Sequence, residues 1–128
     1  MKTKRVRDFM AKHYTTVSPE QSLATAVRTL LEYHQSAAPV VNAKQELVGL
    51  LSEADCMRTT LLEGYFNEGV ALVKDQMTAA TETVSPDEEL SSVSEMFLKH
   101  CRRMMPVVEA GVLVGIVSRK DILKALIN

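Results

Sequence analysis

Apolar residues recur along this chain at two periods, and each period occurs twice. Leu23, Ala26, Val27, Leu30 and Leu31 fall at i, i+3, i+4, i+7 and i+8, the rhythm of one helical face. Leu90, Val93, Phe97 and Leu98 repeat it, with Ser94 where an apolar residue would fit. Ser18-Pro19-Glu20 predicts the start of the first long helix, with Ser near the N-cap and Pro in the first turn. Residues 38–41 and 47–51 read as short buried strands joined by a polar turn, and 105–108 with 112–117 are their counterparts. A helix is expected after each pair, from 53 to about 63 and from 119 to about 127. Thr15-Thr16-Val17 and Glu82-Thr83-Val84 read as a first strand, and short helices are expected at 6–10 and 70–77.

These elements belong to an internal repeat. Val6-Arg7-Asp8-Phe9-Met10 is answered by Val73-Lys74-Asp75-Gln76-Met77, Thr16-Val17-Ser18-Pro19 by Thr83-Val84-Ser85-Pro86, and Pro39-Val40-Val41 by Pro106-Val107-Val108, all 67 positions on. Leu47-Val48-Gly49-Leu50-Leu51-Ser52-Glu53-Ala54-Asp55 is answered by Leu113-Val114-Gly115-Ile116-Val117-Ser118-Arg119-Lys120-Asp121 at a spacing of 66. One residue is therefore missing from the second turn, where a deletion costs least. The repeats divide the chain into 1–64 and 65–128, each strand, helix, strand, strand, helix. Tyr65 and Phe66 in the linker suggest a packed crossover. A unit of about 60 residues is marginal alone, so two units sharing burial is the expectation.

The doubled Val-x-Asp-x-Met, Thr-Val-Ser-Pro, Pro-Val-Val and Gly-φ-φ-Ser-x-x-Asp marks (φ, apolar) resemble a tandem pair of cystathionine-β-synthase (CBS) domains, a stand-alone Bateman module. The resemblance covers nearly the whole chain. It implies an α+β fold of two β-α-β-β-α repeats packed with pseudo-twofold symmetry, and a flat homodimer. It also implies a regulatory module, not an enzyme, that senses an adenine nucleotide (AMP, ADP or ATP) in clefts between the repeats and passes the signal to an effector protein. A ligand-free dimerisation module, and a sensor of S-adenosylmethionine or a cyclic dinucleotide, are the alternatives. By resemblance, Asp55 and Asp121 would grip ribose and Ser52 and Ser118 would touch ribose or phosphate. The strands at Thr16 and Thr83 would help to hold the base, and Ala38, Met104 and Met105 would line its pocket.

The residues themselves admit a second reading. Ser52-x-x-Asp55 and Ser118-x-x-Asp121 are close to capping boxes, which a helix start needs with or without a ligand. The same helix start offers N–H donors and a favourable dipole to a phosphate. Met104 and Met105 suit a core as well as a pocket. Arg102 and Arg119 have no basic counterpart in the first repeat, and arginine pairs well with phosphate. They suggest that the second site takes the phosphorylated ligand, unless they lie on a solvated face.

Composition excludes several classes. Net charge is −1, with 8 basic and 7 acidic residues up to Gly64 and 7 and 9 after it, which argues against nucleic-acid binding. Lys2, Lys4, Arg5 and Arg7 read as a solvated basic terminus. No apolar run is long enough for a membrane span. Two cysteines without a secretion signal suggest a cytoplasmic protein with reduced thiols. Cys101 reads as a half-buried structural thiol or as a reactive one beside Arg102 and Arg103. His13, His34 and His100 are scattered, so no metal site is expected. No nucleophile has an evident base.

Overall fold

The computed structural model describes residues 3–63, 71–79 and 81–128. The repeat boundary at Gly64, the linker aromatics Tyr65 and Phe66, Lys2, and the first residue of the helix expected at 70–77 lie outside these residues. In chain order the described elements are α1 (Val6–Phe9), α2 (Leu23–Tyr33), β1 (Ala37–Val41), β2 (Leu47–Ser52), α3 (Glu53–Glu63), α4 (Val73–Gln76), α5 (Leu90–Lys99), β3 (Met104–Glu109), β4 (Val112–Ser118) and α6 (Arg119–Ile127). This is an α+β fold.

The chain forms two compact units, and the opening segments are exchanged between them. One unit is continuous, Thr15–Thr81; the other is split, Met1–Tyr14 with Glu82–Asn128. In the continuous unit β1 pairs antiparallel with β2. Val17 adds a parallel bridge to Val40 on one side, and Thr78 an antiparallel bridge to Leu50 on the other. The split unit repeats this with β3 and β4, Val84 on Val107 and Ala11 on Ile116. The first strand of each repeat is thus a single bridged residue. Val17 still satisfies both backbone groups, donating to Pro39 O at 3.0 Å and accepting from Val41 N at 3.0 Å.

The first long helix begins later than Ser18-Pro19-Glu20 predicts. Its N-cap is Ser22, whose side chain accepts from Thr25 N. The backbone from Ser18 to Gln21 is a turn whose carbonyls are used elsewhere: Pro19 O accepts from Lys74 N and Gln21 O from Val73 N. These are free N–H groups of α4, so the turn caps the short helix of its own unit. In the split unit Pro86 O and Glu88 O accept from Arg7 N and Val6 N of α1 in the same way.

The two cores match position by position. Val17, Ala26, Leu30, Ala38, Val40, Leu51, Cys56 and Val73 pack in one. Their repeat equivalents Val84, Val93, Phe97, Met105, Val107, Val117, Ile122 and Val6 pack in the other. Ala26, Leu30 and Ala38 become Val93, Phe97 and Met105, so the split unit fills its core with larger side chains. Leu31 and Leu98, placed by periodicity on the buried face, are instead 69% and 83% exposed. They sit at the edge of the stripe, where the next turn leaves the sheet.

Among the described residues no helix is long and apolar enough to cross a membrane, and no three His, Cys, Asp or Glu side chains are grouped to hold a metal ion.

Candidate ligand-binding site

Both Ser-x-x-Asp motifs lie where a core strand turns into a helix. Strand register sets Ser52 opposite Ala37 and Ser118 opposite Met104. Each forms a reciprocal cap. Asp55 Oδ2 accepts from Ser52 N at 2.9 Å while Asp55 N donates to Ser52 Oγ at 3.1 Å. Asp121 Oδ2 accepts from Ser118 N at 2.8 Å and from Ser118 Oγ at 2.9 Å. The capping reading of these residues is therefore a structural fact.

The two aspartates differ in what remains. Asp55 is 7% exposed, and its Oδ1 accepts from Arg58 Nη1 at 3.1 Å. Asp121 is half-buried, its cap engages Oδ2 alone, and Oδ1 accepts no hydrogen bond among the described residues. It lines a cavity of about 690 Å³ within the split unit, together with Lys4, Arg7, Phe9 and Lys124. One oxygen of Asp121 is thus available to a ligand hydroxyl, while Asp55 must first give up Arg58.

The remaining candidates fall into two sets. Thr16, Ala38, Ser52 and Asp55 belong to the continuous unit; Thr83, Arg102, Met104, Met105, Ser118, Arg119 and Asp121 belong to the split unit. Ala38 and Met105 are closed core residues, 0% and 1% exposed, and Met104 is buried next to Met105 on β3. Thr16 and Thr83 are half-buried next to the bridged residues Val17 and Val84.

Arg102 and Arg119 are tethered through Nε. Arg102 Nε donates to Glu82 Oε1 at 3.2 Å, and Arg119 Nε donates to Arg102 O at 2.9 Å. Arg119 also lies along an apolar groove with Phe97, Cys101, Ile122 and Leu126. Arg102 owes its place to a helix end. Cys101 takes a left-handed φ of 51°, and Arg102 N donates back to Phe97 O at 3.0 Å. His34, at φ 54°, and Gln35 close α2 in the same way.

Sequence reasoning did not bring Glu82 and His100 together with Arg102. His100 Nδ1 lies 2.9 Å from the Glu82 oxygen that Arg102 also reaches. No local spacing links residues 18 and 20 positions apart. The available signal was a concerted change between repeats: Glu82, His100 and Arg102 stand where Thr15, Tyr33 and Gln35 stand in the first.

A family model for the CBS domain matches residues 6–61 and again 73–128. The chain belongs to the CBS-domain family. This CBS pair is 31% identical over 121 residues to the protein MJ1225 of Methanocaldococcus jannaschii, and 35% identical over 121 residues to inosine-5'-monophosphate dehydrogenase of Korarchaeum cryptofilum. The matches cover 94% and 93% of this chain, which spans only 42% and 24% of those proteins. Among solved structures the CBS pair is similar to CBSX2 in complex with AMP, a CBS-pair protein from Arabidopsis thaliana. The TM-score is 0.85, with 27% identity over 96% of each chain.

The basic N-terminal segment of the CBS pair makes polar contacts within its own unit while the Arg5 and Arg7 side chains stay 48% exposed. Lys4 Nζ donates to Ala125 O at 2.6 Å, Arg7 Nη2 sits 2.6 Å from Asp87 Oδ1, and Arg5 faces Glu89 at 3.9 Å. The thiols also separate. Cys101 is exposed, which corrects the half-buried expectation, and Cys56 is buried in the core. Burial, with Asp55 and Glu53 nearby, pushes the Cys56 thiol up to about 11.

Proposed function

We propose that this CBS pair is a regulatory module that binds an adenosine-containing nucleotide of the AMP, ADP or ATP class, with Asp121 as its main ribose contact. The free Oδ1 of Asp121, beside a Ser118 already aimed at the helix start, carries this reading. The similarity to an AMP-bound CBS pair supports the ligand class. Ser118 and the N–H groups of α6 would meet ribose or phosphate, and Arg102 and Arg119 would meet phosphate. Thr83 and Met104 would border the base, with Met105 supporting it from the core, and Ala38 would do the same in the continuous unit. Ser52, Asp55 and Thr16 would form a weaker site, because Arg58 competes for Asp55. Regulation then follows from linkage: a ligand that prefers one arrangement shifts the population of a surface that an effector protein reads.

The test is a thermal-shift titration of nucleotide-stripped protein with AMP, ADP, ATP, S-adenosylmethionine and cyclic dinucleotides. A ligand at 100 times its Kd should stabilise by about 2.7 kcal/mol. The shift should vanish in Asp121→Ala and survive in Asp55→Ala. No shift with any ligand would refute the reading.

A second reading, a homodimerisation module, has its own observation. Leu98 and Leu123 on α5 and α6 are 83% and 61% exposed, and their repeat equivalents Leu31 and Met57 are 69% and 71% exposed. An apolar face left uncovered twice suits a second copy of the chain. Light scattering of Leu98→Glu with Leu123→Glu should then report a monomer.

A further inference from the structure

The Glu82, His100 and Arg102 cluster gives the second repeat a feature that the first lacks. In the first repeat Gln35 ties the strand at residue 15 with neutral bonds, accepting from Thr15 N at 2.8 Å and donating to Thr15 O at 3.2 Å. In the second repeat three ionisable groups occupy the same positions. Glu82 Oε1 receives both His100 Nδ1 and Arg102 Nε, and neither Nη group of Arg102 has a partner among the described residues. The guanidinium is held at its root and keeps its outer fork free. The other charged groups nearby are Arg119 on α6, bonded to Arg102 O, and the chain neighbours Lys99 and Arg103.

We infer that Glu82 and His100 are specificity-determining residues that make anion binding at Arg102 proton-linked. The inference rests on the phosphate role given to Arg102 above. With His100 neutral, Glu82 cancels the charge of Arg102 and the cluster is neutral. A proton added at Nε2 of His100 leaves Nδ1–H on Glu82 and makes the cluster +1. A phosphate then meets a net positive site, and its binding draws that proton in. A ligand without phosphate gains nothing. His100 and the carboxylate already favour each other, as His100 foremost holds the Glu82 carboxyl below its usual value.

The experiment measures AMP and adenosine affinity by calorimetry at pH 5.5 and pH 8, in the wild type, His100→Asn and Glu82→Gln. Asparagine keeps a donor for Glu82 but cannot titrate. The titration of free AMP is common to all three experiments, so the comparison between proteins removes it. From pH 8 to 5.5 the wild-type preference for AMP over adenosine should rise about threefold more than in His100→Asn, within the range of an exposed charge pair. Glu82→Gln should bind AMP about threefold more tightly at pH 8 and leave adenosine unchanged. Equal pH slopes in wild type and His100→Asn would overturn the inference while leaving nucleotide binding intact. Failure of both ligands to bind the wild type would instead refute the nucleotide reading itself, and this inference with it.

Discussion

The thioether of Met10 lies directly against Gly115. A Cβ on that glycine would stand 2.7 Å from Met10 Sδ and 3.1 Å from Ala11 O. A Cβ on Gly49 would likewise stand 2.6 Å from Met77 Sδ and 3.0 Å from Thr78 O. Both glycines sit where the exchanged segment joins the sheet, through the paired bonds of Ala11 with Ile116 and of Thr78 with Leu50. Absence of a side chain is what lets that backbone come close. Gly115→Ala should therefore cost about 1–3 kcal/mol, read from the urea midpoint at unchanged slope. Adding Met10→Ala should recover part of the loss. A fully stable Gly115→Ala protein would show that the segment moves aside freely.

The caps at Ser52 and Ser118 predict a stability effect that requires no ligand. Ser52→Ala and Ser118→Ala should each lose about 1 kcal/mol in stripped protein, measured by denaturant unfolding. No loss at either position would mean that these hydroxyls serve only a ligand.

The two thiols should react on different clocks. Cys101 is exposed, so one thiol per chain should label at once with a disulfide reagent at pH 8. Cys56 is buried and its thiol is held up near 11, so it should wait for unfolding. Two equally fast thiols would contradict the packing of the continuous unit.

Glu82 also sets an acid response. Its folded-state value is lowered, first by His100, so the stabilisation is present above the unfolded carboxylate value and disappears as pH falls through the lowered one. Wild type should therefore exceed Glu82→Gln in stability at pH 6, and the gap should close below about pH 4. The effect is small, because the pair is solvent-accessible. A gap that widened toward acid would reverse the assigned sign.

Much of this fold was legible because the repeat supplied every signal twice. The strands at Pro39 and Pro106, and the helices after Ser52 and Ser118, stand within a residue or so of their expected bounds. Ser18 misled because Ser-Pro suits both a helix start and a turn. Only the tertiary demand of α4 for acceptors at Pro19 and Gln21 decides between them. Leu31 and Leu98 misled because periodicity gives a face but not its width. At the site, Ser52, Asp55, Ser118 and Asp121 were readable from spacing. Their inequality was not, since it depends on Arg58 reaching Oδ1 of one aspartate and on no described residue reaching that of the other. Glu82 and His100 meet Arg102 only after α5 brings its end back to the strand.

The exchange of opening segments bears on the order in which the chain can fold during synthesis. Thr15–Thr81 is continuous in sequence, so all of its own residues are present once Thr81 leaves the ribosome. The split unit must hold residues 1–14 in waiting, because Arg7 finds Asp87 80 positions later. At about 5–20 residues per second that interval lasts roughly 4–16 s. When Thr81 emerges, the chain carries one continuous unit and one unclaimed segment with Val6 and Phe9 uncovered. A nascent-chain arrest series should accordingly show two separate folding steps, the second arriving only after α6 emerges.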